Sequence, residues 1–140
     1  MEVIRAKRAG ACYGVQRALD MAAEVIEAGG RAYTLGPLIH NPQVVDELAA
    51  RGAAAVASVE DIPAAARTDA AAADEAPAVV IRSHGVTPEV LAAVVERGFS
   101  VVDATCPHVS RAQAAAAELA REGCRVVVLG EAGHPEVEGL

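Results

Sequence analysis

Apolar residues along the chain fall into two patterns, short unbroken runs and longer stretches with helical spacing, and the two alternate. Val3 to Ala6 reads as a short buried strand. After a glycine-containing turn, Val15, Leu19, Ala22, Ala23 and Ile26 recur on one helix face until Gly29-Gly30 stop the helix. Tyr33 to Leu35 is the next predicted strand, Gly36 to Asn41 a loop, and Val44, Val45, Leu48 and Ala49 the inner face of a second helix ending near Gly52. Ala53 to Val56 gives a third, weak strand. Ala64 to Pro77 is rich in Ala and Asp without periodicity and is expected to be an exposed insertion or irregular helix. Beyond it the pattern predicts a strand over Val79 to Arg82, a helix over Pro88 to Arg97, a strand over Ser100 to Asp103, a long helix over Pro107 to Glu122 and a buried strand over Arg125 to Leu129.

Strands that are apolar throughout, separated by helices, are the mark of parallel sheets covered on both faces and joined by right-handed crossovers. The expected fold class is therefore α/β, with parallel sheets and flanking helices. Cys12 follows the first predicted strand and opens a helix, and Cys106 follows a later strand and opens another. That likeness predicts a first α/β domain over 1–98, with the insertion at 64–77, and the start of a second similar domain over 99–140, divided near Gly98.

Composition narrows the function classes. Nineteen acidic against twelve basic residues give a net charge of -7, which disfavours a nucleic-acid binder whose affinity would come from neutralising phosphates. Any anion site must be local. The first residues lack the apolar stretch of a signal peptide, and the three cysteines, Cys12, Cys106 and Cys124, are an odd number, so reduced thiols in the cytoplasm are expected. No run approaches the ~18 apolar residues of a membrane span.

The carboxyl ends of parallel strands form the usual ligand crevice of α/β sheets. There the sequence places Cys12, His40-Asn41, Ser83-His84-Gly85, Thr105-Cys106 and Gly133-His134-Pro135-Glu136. Proline stands at the first helical position in Asn41-Pro42, Thr87-Pro88 and Cys106-Pro107, which puts His40, His84 and Cys106 at or near helix amino ends. Free N–H groups and the helix dipole there favour a phosphate oxygen beside the histidines and a thiolate at Cys106.

Each of these residues alone has an ordinary structural reading, as a small core thiol or a hydrogen-bonded imidazole. Cys124, before a predicted strand, and His108, inside a predicted helix, are read that way. Cys12 and Cys106 are too far apart for a CxxC motif, and neither a P-loop nor GxGxxG occurs. Two dispersed thiols on equivalent loops suggest instead a shared soft-metal centre, where thiolates select an iron–sulfur cluster, zinc or copper(I).

Five stretches in order, Ala9-Gly10-Ala11-Cys12-Tyr13-Gly14-Val15, Leu35-Gly36-Pro37-Leu38-Ile39-His40-Asn41-Pro42, Arg82-Ser83-His84-Gly85-Val86, Asp103-Ala104-Thr105-Cys106-Pro107 and Gly133-His134-Pro135-Glu136-Val137, resemble the hydroxymethylbutenyl diphosphate reductase family. The resemblance covers essentially the whole chain outside the insertion, but only about the first half of the family's length. It implies three similar α/β domains around an iron–sulfur cluster of the 4Fe-4S type. It also implies the reductive removal of a hydroxyl from an allylic diphosphate, which closes the non-mevalonate isoprenoid pathway. By the same resemblance Cys12 and Cys106 match the first two cluster ligands, His40 and His84 diphosphate-binding positions, His134 a substrate-side histidine and Glu136 the acid of proton delivery. A ferredoxin or flavodoxin electron donor is implied in the same way.

The family's third cluster cysteine and its later serine and asparagine substrate contacts have no counterpart in this sequence, and Cys124 does not take that place. The expected consequence is a chain inactive by itself. The alternatives are a diphosphate- or metal-binding α/β module without turnover, a zinc site on Cys12, Cys106 and a histidine, and two copies pooling their cysteines around one cluster.

Overall fold

Nearly every apolar run predicted in the middle of the chain pairs with its neighbours in one parallel sheet. The structure, a computed structural model, describes residues 2–4, 6–7, 9–63 and 77–140. Helix α1 spans Tyr13–Glu27, followed by β1 Ala32–Leu35, α2 Pro42–Arg51, β2 Ala53–Val56, β3 Ala78–Ile81, α3 Pro88–Glu96, β4 Ser100–Asp103, α4 Pro107–Arg121 and a one-turn helix α5, Pro135–Glu138. The strands lie in the order β2-β1-β3-β4. All three pairings are parallel, with Ala32 opposite both Ala53 and Ala78, and Ala78 opposite Ser100.

Both faces of the sheet are covered, as continuous apolar strands require. On one face Ala18 and Ala22 of α1 and Leu48 of α2 pack against Ala32, Ala53 and Val80. Gly14, Ala18 and Ala22 form the buried stripe of α1, so the helix meets the sheet through its smallest residues and lies close over it. On the other face Val94 of α3 packs with Leu35, Val79, Ile81 and Phe99, together with Val59 and Ile62 from the segment after β2. Val79, Val80 and Ile81 are fully buried, and each contributes about 1.5–3 kcal/mol relative to exposure.

Helix starts follow the proline signals. Asn41 caps α2, its side chain accepting from the N–H of Gln43, and Pro42, Pro88 and Pro107 open α2, α3 and α4. At the other end of α2, Gly52 closes the helix in the left-handed conformation at φ 115°.

Two expectations change. Val3 and Ile4 are 81% and 85% exposed and form no strand, and Arg125 to Leu129 is likewise irregular, with Leu129 fully exposed. Among the described residues neither run has a neighbouring strand, and an apolar run becomes a strand only when its backbone groups are paired. The division near Gly98 does not interrupt the sheet, because β4 lies beyond Gly98 and pairs with β3. The Ala64 to Pro77 insertion falls, except for Pro77, outside the described residues. No described helix is long and apolar enough to cross a membrane.

Candidate functional site at the carboxyl edge

The strand order fixes where a ligand can sit. From β1 the chain moves outward to β2, then returns to the opposite side of β1 for β3 and β4, so the winding reverses between β1 and β3. The loops leaving β1 and β3 diverge there and open a crevice at the strands' carboxyl ends. His40 is on the first of these loops and His84 on the second.

Cys106, at the end of the loop after β4, is the N-cap of α4, and Cys12 is the N-cap of α1. The two helix starts meet, since a Cβ placed on Gly14 would lie 2.9 Å from Cys106 Sγ. Two further contacts fix the loop. The Cys106 N–H donates to Ser83 O at 2.9 Å, and the Arg17 guanidinium donates to Thr105 O at 3.3 Å and Asp103 O at 3.4 Å. Both thiols are free, with Cys12 exposed and Cys106 partly buried.

His134 is the N-cap of α5, and its Nδ1 accepts the Glu136 N–H at 3.3 Å, which leaves Nε2 to carry the ring proton. Its ring meets that of His84 edge to face, centroids 5.4 Å apart at 76°. Burial is the first cause holding the His84 pKa below its ordinary value. Arg82, His134 and His40 push the same way, and Glu136 opposes them. His84, His134, Glu136 and His40 therefore share one electrostatic neighbourhood. Beside it a cavity of about 420 Å³ opens, lined by Leu35, Val59, Arg82, Val86, Pro135 and Glu138 among others.

All six residues singled out in the sequence thus reach this edge. The helix starts that carry the thiols meet at Gly14 and the imidazoles lie around His84, while Cys124 and His108 are exposed. Sequence reasoning passed over Arg82 and Gln113, which have buried side-chain nitrogens without a hydrogen-bond partner among the described residues. Arg82 carried a signal, since it ends the predicted strand just before His84; Gln113 carried none. The donors suit a soft metal, two free thiols at helix amino ends with a glycine making room beside one of them. Among the described residues no three His, Cys, Asp or Glu side chains converge to enclose a metal, so a cluster needs ligands beyond them.

A doubly wound α/β domain whose carboxyl edge gathers two thiols and three imidazoles defines a class, α/β proteins with donors there for both a soft metal and an anion. The comparisons narrow it. A model of the LytB protein family matches residues 3–140, and the chain belongs to that family. It is 45% identical over 140 residues to the 4-hydroxy-3-methylbut-2-enyl diphosphate reductase of Geobacter sp. (strain M21), covering 100% of this chain and 46% of that protein. The enzyme of the same name from Geobacter metallireducens is 46% identical over 140 residues, with 45% of its length covered.

A solved structure of (E)-4-hydroxy-3-methyl-but-2-enyl diphosphate reductase, described as the terminal enzyme of the non-mevalonate pathway, matches with a TM-score of 0.78 at 42% identity, covering 98% of this chain and 45% of its own. The Plasmodium falciparum reductase structure, at 24% identity and a TM-score of 0.79 over 95% of this chain and 39% of its own, shares the fold. The chain spans a little under half the length of the curated relatives it matches.

Proposed function

We propose that this chain is part of an iron–sulfur oxidoreductase that converts (E)-4-hydroxy-3-methylbut-2-enyl diphosphate to isopentenyl and dimethylallyl diphosphate. The observation that carries the reading is the meeting of the Cys12 and Cys106 helix starts at Gly14, on the same sheet edge as the His84–His134 pair. Cys12 and Cys106 would be two of the ligands of a 4Fe-4S cluster, with the remaining ligand supplied from beyond these residues, and the 140-residue chain alone would be inactive. The reaction consumes two electrons and two protons, one proton leaving with the hydroxyl as water and the other bonding to carbon. When bound, the cluster supplies the electrons and a Lewis-acidic iron.

This chain's own residues do the rest. His40 and His84, on the two loops of the crevice, donate to the diphosphate oxygens, and protonation of His84 is favoured once that anion arrives. His134 holds the start of α5 through the Glu136 N–H and lies on the substrate side. Glu136 holds the proton that the departing hydroxyl needs. The enzyme acts in the cytoplasm and takes its electrons from a ferredoxin or flavodoxin.

The test is anaerobic preparation of the intact protein, with iron and acid-labile sulfide assayed per chain and turnover of the allylic diphosphate followed with a chemical reductant. Iron with sulfide, and turnover lost in Glu136→Gln, is the expected result. Zinc without sulfide, or no consumption of the diphosphate, overturns the reading. The lack of a three-residue metal site among the described residues favours one other reading, a diphosphate-binding module without turnover. It predicts saturable diphosphate binding, lost in His40→Ala, in protein free of iron.

A further inference from the structure

Gln113 lies in the second turn of α4, outside every motif read from the sequence. Its Nε2 is buried and has no hydrogen-bond partner among the described residues. That atom lies 2.8 Å from where a Cβ would stand on Gly85 and also 2.8 Å from where one would stand on Gly139. Gly85 directly follows His84. Gly139 ends α5, the short helix that begins at His134 and carries Glu136. The amide therefore fills the gap between the two elements that bear the imidazoles, and each element is glycine where it meets the amide. Gly139 has ordinary helical angles, φ -79° and ψ -7°, so its backbone makes no demand for glycine. The room taken by Gln113 does.

The amide has no partner among the described residues, so what the side chain supplies at this place is bulk between the two glycines. We propose that Gln113 is a positioning residue, the spacer that sets the separation between the His84 loop and the His134-Glu136 helix, and through it the edge-to-face contact of the two rings. This deepens the proposed function, because it rests on His84, His134 and Glu136 handling the substrate. Gln113 itself touches no reacting atom. It holds two supports apart, and the precision of a site depends on such supports.

The test reads imidazole accessibility directly. In the intact protein, modification of each histidine by diethyl pyrocarbonate is followed site by site by mass spectrometry, with exposed His40 and His108 as internal controls. Gln113→Ala is expected to speed modification of His84 and His134 about threefold or more by loosening the two loops, with His108 unmoved. Gln113→Met, similar in length without the amide, holds the wild-type rates. Gly139→Ala, whose new Cβ displaces the Gln113 tip, speeds modification in the wild type and adds nothing on the Gln113→Ala background.

Wild-type rates at His84 and His134 in Gln113→Ala overturn the proposal, as does a Gln113→Met that behaves like Gln113→Ala. An effect of Gly139→Ala that is the same on both backgrounds overturns it too. If Gly139→Ala does not fold, the comparison of Gln113→Ala with Gln113→Met decides alone. No substrate or electron donor enters the measurement, so the diphosphate reading can fail while the spacer stands.

Discussion

Cys106 packs directly on Gly14: a Cβ at position 14 would come within 2.9 Å of the Cys106 Sγ and 3.0 Å of its Cβ. Gly14 is buried in the first turn of α1, where alanine is the better helix former, so the local helix preference favours the residue the site excludes. Gly14→Ala should push Cys106 off its position and destabilise the protein by about 1–3 kcal/mol through overpacking. Urea unfolding reads the stability, and iron bound per chain in anaerobically prepared protein reads the position. Unchanged values for both would mean that the space at Gly14 is not needed.

Arg17 acts on the same junction from the other side. Its guanidinium joins α1 to Thr105 O and Asp103 O, and Asp103 Oδ1 in turn accepts the Thr105 N–H at 2.9 Å. The two Arg17 bonds are long, so Arg17→Ala should cost only about 1 kcal/mol in urea unfolding. The larger effect is expected on alignment, with faster loss of iron to a chelator and faster alkylation of Cys106, while Cys124 reacts at its wild-type rate. Equal acceleration at Cys106 and Cys124 would point to general loosening instead.

The fall in the His84 pKa has a definite sign in stability. A histidine whose folded pKa lies below its unfolded value binds its proton more readily when unfolded, so its contribution is fully present above the unfolded pKa and is lost as pH falls through the folded one. Between pH about 7.5 and 5.5 the urea midpoint of the wild type should drop more than that of His84→Gln. Diphosphate binding has the opposite dependence, since the imidazolium is the better anion donor, and affinity should rise as pH falls over the same window. Parallel midpoints in the two proteins would remove His84 from this accounting.

The central part of the fold was legible because its strands report themselves twice, by apolar runs and by the proline and asparagine that start the next helix. Asn41-Pro42 and Cys106-Pro107 mark helix starts in the sequence and in the structure alike. Val3-Ile4 and Val126 to Leu129 have the composition of strands, but pairing is a property of neighbours and cannot be read from the run itself. The place of β4 was not legible for a related reason. A likeness between two cysteine loops says nothing about which sheet a strand joins, and the register of Ala78 opposite Ser100 was needed to place β4. His40, His84, His134, Cys12, Cys106 and Glu136 stood out because each lies within two residues of a glycine or proline that locates a turn. Gln113 has ordinary helical neighbours, and only the two glycines it touches, distant in sequence, reveal it.

Arg82 offers the last prediction, because its neighbour and its charge can be separated. A Cβ on Gly36 would fall 2.6 Å from Arg82 Nη1, and Gly36 has a φ of 74°, in the left-handed region that alanine enters only with strain. The guanidinium is the mobile end of a long side chain and can swing aside, so the cost of Gly36→Ala is mainly backbone, about 1 kcal/mol. Moving the cation has a second effect, since Arg82 is one of the charges that hold down the His84 pKa. Gly36→Ala should therefore lower stability and raise the His84 pKa toward its ordinary value. Arg82→Leu should raise the pKa without the backbone strain. Histidine titration followed by NMR, beside urea unfolding of both variants, separates the two effects. A His84 pKa that stays at its wild-type value in Arg82→Leu would leave the shift to burial and the neighbouring imidazoles and remove Arg82 from the electrostatics of the site.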